Sequence, residues 1–216
     1  MSHQTMIQGH AAPLRIANFD TDQVMPKQFL RGIDKSGLKD GLFYDLRFDE
    51  EGKLKSDFFL NQPAYALTDV LLAGPNYGCG SSREHAVWGM QQYGFKAVIA
   101  SSFAEIFYSN AMGNRLLLIV LPEDQVQALM KEADDAFGPI QLDIDIENGV
   151  VRTPKHQFTF SMSPRHLQMF LEGLDVIGLT LKHQNQIDHF AQAHWNANPW
   201  LHNVSRRVVD RLAKAE

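Results

Sequence analysis

Three short apolar runs, each followed by a helical pattern, constrain this chain more tightly than any other feature. Residues 67–73 read LTDVLLA, 96–100 read KAVIA and 116–121 read LLLIVL. After the first run, residues 82–93 place Ala86, Val87 and Met90 at helical spacing and end at Gly94, a left-handed stop. After the second, residues 103–112 read as a helix that Gly113 stops. After the third, Pro122 opens a helix to about Ala136, in the position proline favours. Continuous apolar strands alternating with helices predict a largely parallel sheet covered on both faces. Past Pro139 the period changes. Residues 140–146 (IQLDIDI) and 156–162 alternate apolar and polar, and Glu147-Asn148-Gly149 is a hairpin-type turn, so an antiparallel meander follows the parallel unit. From Ser163 the chain is helical, with Ile187, Phe190 and Ala191 at helical spacing and Trp195 beyond, in a stretch rich in Asn, Gln and His. This part reads as a docked peripheral extension.

The N-terminal part is less regular. In LRIANFDTDQVMPKQFL, 14–30, the NFDTD segment is turn-like, because Asn and Asp side chains bond nearby backbone, and Pro26 ends a short apolar piece. Residues 31–57 are rich in Gly, Lys and Asp and read as a mobile excursion, or as a solvated loop with a short helix. The chain of 216 residues carries a net charge of -5, which argues against a nucleic-acid surface and weakly against an anionic membrane. No apolar run approaches the roughly 20 residues of a membrane span. The start, MSHQTMIQGH, lacks the pattern of a signal peptide, and a single cysteine excludes an internal disulfide. A reducing cytoplasm is the expected location.

Between the first strand and its helix lies GPNYGCGSSREHAVWG, 74–89. A strand-to-helix corner in an α/β sheet is where ligands bind, and free N–H groups at a helix start favour an anion. Known phosphate loops do not fit. Gly78-Cys79-Gly80 matches half of the dinucleotide fingerprint, but residue 83 is Arg, and no Walker-type or hydrolase-elbow string occurs. Cys79 with His85 could in principle form a nucleophile pair, although a small cysteine between glycines is more often a packing residue and His85 a structural hydrogen-bonder. No zinc-type His or Cys spacing exists, so no metal is assigned to this chain. There remain Ser81, Ser82 and Arg83, with Gly78 and Gly80 permitting close backbone approach. One serine could simply be an N-cap. Arg83 in a first helical turn would oppose the macrodipole, while its fork suits a carboxylate; Glu84 would offset it.

At these residues the chain resembles the aconitase-type swivelling domains, in the longer bacterial form that stands alone as a small subunit. The segment 74–121 looks like the family signature, NFDTDQVMPKQFL, 18–30, looks like its other block, and HQNQIDHFAQAHW, 183–195, resembles its C-terminal helix. The resemblance covers nearly the whole chain. It implies a three-layer β/β/α swivelling domain over 1–180 with a helical extension over 181–216. It also implies a heteromeric hydro-lyase, a heterodimer or heterotetramer that isomerises 2-isopropylmalate to 3-isopropylmalate in leucine synthesis. Related substrates would be citramalate, dimethylmalate or homocitrate; a non-catalytic di-acid-binding module is the alternative of another class. The 4Fe-4S cluster would sit on a large partner subunit. Ser81 would be the base that removes the carbon-bound proton, with Ser82 and Arg83 holding a substrate carboxylate. Asp20, Thr21 and Asp22 would support the cleft, and Lys27, Leu30 and Arg31 would begin the substrate-discriminating loop. One departure stands out: the longer aconitases carry another substrate arginine ahead of the serine motif, and none occurs at 58–73.

Overall fold

The computed structural model describes residues 5–30 and 36–214. Arg31, expected at the discriminating loop, lies outside the described residues. Seven strands form one hydrogen-bonded sheet: β1 (Met6–Leu14), β2 (Val70–Ala73), β3 (Ala97–Ala100), β4 (Leu117–Val120), β5 (Ile140–Asp145), β6 (Val150–Arg152) and β7 (Gln157–Thr159). Their order is β4-β3-β2-β1-β5-β6-β7. The first four are mutually parallel and the last three join antiparallel, as the change of period predicts.

The strand that joins the two halves is β1. It pairs parallel with β2 through Ala11–Leu14 and antiparallel with β5 through Met6–Ala11. No strand is predicted there, because its buried positions include Gly9, Ala11 and Ala12, which carry little hydrophobic signal. Gly9 is needed for closeness: a Cβ there would lie 2.6 Å from Asp69 Oδ1. Strand β2 starts three residues later than its apolar run, because Thr68 N–H bonds the Tyr65 carbonyl at 3.0 Å and leaves Leu67 70% exposed in a turn.

Between β1 and β2 come three one-turn helices, α1 (Thr21–Val24), α2 (Leu38–Gly41) and α3 (Tyr44–Arg47). The described part of 31–57 is not a solvated excursion throughout. Leu38, Leu42 and Phe43 are buried, and Phe43 meets Phe19, Phe58 and Phe95 edge-on. Helices α4 (Glu84–Tyr93), α5 (Glu105–Gly113) and α6 (Glu123–Asp135) follow β2, β3 and β4 in turn, and α7 (Pro164–Glu172) follows the meander. Helix α4 packs on α2 and α5, and α6 on β1 to β3. Gly94 ends α4 at φ +120 as predicted. Gly113 does not end α5; it is the last helical residue, and the left-handed turn falls on Arg115 at φ +63.

The chain divides into two compact units, Met1–Asp175 and Val176–Glu216. The second is built of α8 (Val176–Leu181), α9 (Gln184–Ala197) and α10 (Val204–Ala213). None of these helices has a buried residue. Among the described residues no helix is long and apolar enough to cross a membrane.

Candidate active site

Strands β1 and β2 are parallel neighbours, with Leu14 beside Ala73, so the loops that leave them start side by side. One loop carries NFDTD and the other GPNYGCGSSR. The two then join along their length. Asn18 N–H bonds the Pro75 carbonyl at 2.9 Å, Gly78 N–H the Phe19 carbonyl at 2.7 Å, and Thr21 N–H the Cys79 carbonyl at 2.8 Å. The Thr21 hydroxyl donates to the Ser81 carbonyl at 2.7 Å. Two glycines make close packing possible, Gly74 against the other loop and Gly78 against α5. A Cβ on Gly74 would sit 2.5 Å from the Ile16 carbonyl oxygen, and one on Gly78, at φ +78, would sit 2.3 Å from Phe107 Cγ. Beneath the loop Tyr77 is fully buried, stacked on Phe19 at 5.6 Å and edge-on to Phe107 at 5.3 Å. Burial pushes its phenol well above the ordinary tyrosine range.

This pairing corrects the local reading of the serine motif. Helix α4 begins at Glu84, with Arg83 as N-cap in extended geometry and no side-chain cap from either serine. The serines stay out of the helix because the carbonyls of Cys79 and Ser81 are engaged by Thr21. Arg83 therefore does not sit in a first helical turn. Its counter-ion is not Glu84, which accepts from Asn114 Nδ2 instead. Arg83 Nη1 is paired with Asp22 Oδ1, and Nη2 lies 3.5 Å from Ser81 Oγ. The arginine side chain is 21% exposed and that of Asp22 53% exposed. Asp20 holds α1 through a reciprocal cap: Gln23 N–H donates to Asp20 Oδ1 at 2.7 Å, and Asp20 N–H to Gln23 Oε1 at 3.1 Å.

Thus Asp20, Thr21, Asp22, Gly78, Gly80, Ser81 and Arg83 are brought together, and Ser81 and Ser82 are exposed beside them. The glycine backbone is not a nest of free donors throughout, since Gly78 N–H is used by Phe19. Cys79 and His85 form no pair: Cys79 Sγ lies 3.2 Å from the Asn18 carbonyl, and the His85 ring lies 4.9 Å from Trp88. Lys27 is exposed on a 3-10 turn, and Leu30 is half-buried against the core cluster. Neither is bonded to the serine motif. Sequence reasoning read Asn18 only as a turn residue and missed its partner Asn76. Their side chains bond each other at 2.8 Å, and both hold left-handed backbone, at φ +53 and +57. An asparagine next to a proline or inside a turn was the available signal, as Asn tolerates that region.

Two clefts of about 640 and 470 Å³ lie elsewhere, one on β1, β5 and β6 around His10 and Arg152, the other around Leu167 and Leu171. Neither contains Ser81 or Arg83. The hydroxyl-bearing Ser81 and Ser82 are instead exposed at the surface. Among the described residues no group of three or more His, Cys, Asp or Glu stands together as a metal site.

The sequence profile of the aconitase C-terminal domain matches residues 1–124. The chain belongs to that family, and its α/β fold is the family's swivelling-domain fold. Within the family it is 53% identical to the "3-isopropylmalate dehydratase small subunit 1" of Chromobacterium violaceum, across 99% of this chain and 100% of that one. It is 48% identical to the 3-isopropylmalate dehydratase small subunit of Phenylobacterium zucineum, across 91% of this chain and 97% of that one. The crystal structure of a 3-isopropylmalate dehydratase from Methanocaldococcus jannaschii superposes with a TM-score of 0.61 at 28% identity, covering 85% of this chain and 99% of that one.

Proposed function

We propose that this chain is the small subunit of a two-subunit 3-isopropylmalate dehydratase, a hydro-lyase of leucine synthesis that removes and re-adds water. The observation that carries the chemistry is Ser81, exposed on a clamped loop with its hydroxyl 3.5 Å from the Arg83 fork. In 2-isopropylmalate, Ser81 takes the proton from the carbon beside the one that bears the hydroxyl. The hydroxyl leaves, and the two carbons become a double bond. Rehydration returns the proton and the hydroxyl to exchanged carbons, giving 3-isopropylmalate. A serine hydroxyl is a weak acid, so its alkoxide needs stabilisation. The guanidinium of Arg83 and unpaired backbone N–H groups supply it. General-base catalysis of this kind contributes about 10² to 10⁴-fold. Arg83 Nη1 is occupied by Asp22, which leaves the rest of the fork, with the Ser82 hydroxyl, for a substrate carboxylate.

One cysteine cannot ligate an iron–sulfur cluster. We therefore assign the 4Fe-4S cluster to a large partner subunit, where it supplies the Lewis acid for the departing hydroxyl. The exposure of Ser81 and Ser82 supports this division of labour. A cytoplasmic heterodimer or heterotetramer, with a swivelling domain over 1–180 and a helical extension from 181, completes the reading.

The test is to purify the chain alone and with its cognate large subunit, reconstitute iron and sulfide anaerobically, and follow absorbance of the unsaturated intermediate. Turnover of 2-isopropylmalate is expected only from the pair. Ser81→Ala should lower it at least about 100-fold, and Arg83→Lys should raise KM because the fork is lost. Activity from the chain alone, Ser81→Ala within about tenfold of the parent, or equal turnover of a citrate-like substrate would each overturn the proposal.

A further inference from the structure

Thr21 makes two bonds to the motif loop, and they fall on either side of Gly80. Its N–H donates to the Cys79 carbonyl at 2.8 Å and its hydroxyl to the Ser81 carbonyl at 2.7 Å. The residue is 2% exposed, so water cannot substitute for either contact. It is the first residue of α1, whose N-terminus the Asp20–Gln23 capping box locks. Gly80, at φ +89, is the bend between the two anchored carbonyls.

Peptide planarity carries the consequence further. In a trans peptide the C=O and N–H point in opposite directions, and no described peptide is cis. Turning the Cys79 carbonyl toward Thr21 turns the Gly80 N–H away from it. Turning the Ser81 carbonyl toward Thr21 does the same to the Ser82 N–H. Among the described residues none accepts a hydrogen bond from either N–H, and Gly80, Ser81 and Ser82 are all exposed. The peptide N–H groups on either side of Ser81 are thus both turned away from Thr21 and carry no partner among the described residues.

Resting on the reading of Ser81 as base, we propose that Thr21 is a positioning residue: its two hydrogen bonds orient the peptides around Gly80 so that the Gly80 and Ser82 N–H groups stabilise negative charge developing at the serine and substrate. The hydroxyl of Thr21 touches no substrate. It acts through backbone orientation, so its loss shows in turnover rather than in binding. The N–H contact alone leaves the Ser81–Ser82 peptide free to rotate, and a misplacement of about 1 Å at a reacting centre costs about 100-fold in rate.

The experiment compares Thr21→Val, which keeps the branched shape, with Thr21→Ser, which keeps the hydroxyl, each reconstituted with the large subunit. Thermal melting and co-purification report the fold. Thr21→Val is expected to lower kcat by about 30- to 300-fold with KM within about threefold, and Thr21→Ser to stay within about fivefold of the parent in kcat. A kcat for Thr21→Val within about threefold of the parent overturns the inference. So does an equal loss in Thr21→Ser, which would make the methyl the important group, and so does a rise in KM at unchanged kcat. Failure of Thr21→Val to fold or to bind the large subunit, where Thr21→Ser does both, also overturns it, because the hydroxyl would then hold the fold rather than the loop. Ser81→Ala, run in parallel, separates the two levels. An active Ser81→Ala removes the base assignment, whereas an inactive Ser81→Ala beside a fully active Thr21→Val removes only the role of Thr21.

Discussion

Gly78→Ala is expected to cost about 2–5 kcal/mol of stability in two separable parts. The first is conformational. Gly78 sits at φ +78, and an L-residue in the left-handed region costs about 1–2 kcal/mol. The second is steric. The new Cβ would stand 2.3 Å from Cγ and 2.6 Å from Cβ of Phe107, a buried ring held edge-on to Tyr77. The near atoms belong to the stem of a packed ring rather than to a flexible tip, so relief needs movement of α5 or of the loop. Overpacking of this kind costs about 1–3 kcal/mol. Gly37 is the control. It has φ +72 with nothing within 4 Å of the position a Cβ would take, so Gly37→Ala should lose only the conformational part, about 1–2 kcal/mol. Urea unfolding followed by far-UV circular dichroism measures both, and calorimetry should show a fall in Tm of about 4–20 °C for Gly78→Ala. Phe107→Ala alone should cost about 3–5 kcal/mol. Combined with Gly78→Ala it should cost at least about 1 kcal/mol less than the sum, because the truncation removes the clash with Cγ and leaves only Cβ, which a small shift of the emptied site can relieve. Equal losses at positions 78 and 37, or strict additivity with Phe107→Ala, would refute the steric account.

Two further outcomes follow from buried polar groups. Glu132 is 4% exposed and takes a 2.6 Å hydrogen bond from Thr153, with His156 Nε2 at 4.0 Å; Thr153→Val should therefore cost about 1–3 kcal/mol in urea unfolding, and a loss below about 0.5 kcal/mol would refute it. His166 has a buried Nδ1 with no hydrogen-bond partner among the described residues, and burial first, then the neighbouring Arg165, holds its pKa below the ordinary histidine value. The unfolded chain then binds a proton more readily than the folded one, so this contribution is full above about pH 6.5 and is lost as pH falls below it. His166→Gln should flatten the dependence of the urea midpoint on pH between neutral and mildly acidic buffers, and identical slopes for parent and variant would count against this.

The parallel unit was legible because its strands are continuous apolar runs buried on both faces, and the meander because its strands alternate. Strand β1 was not, since its buried positions include Gly9, which close approach to Asp69 requires, and Ala11 and Ala12, and all three carry little hydrophobic signal. The burial of Leu38, Leu42 and Phe43 within a Gly- and Lys-rich stretch was hidden for a related reason. Composition averages over a segment, whereas packing is decided by single side chains.

For the site, the chain alone determined which residue types stand together in sequence: a hydroxyl pair, an arginine and glycines in one loop, acids and a threonine in another. It could not decide how they meet. That followed from β1 and β2 lying side by side in one sheet, which sets two loops about 60 residues apart in register and lets Thr21 anchor the Ser81 carbonyl. The same register gave Arg83 its counter-ion in Asp22 rather than in the adjacent Glu84, because the Glu84 carboxylate turns to Asn114 at the end of α5 while Asp22 meets Arg83 from the other loop. Local chemistry is written in neighbouring residues. Orientation depends on pairings between distant ones, and only the folded sheet supplies those.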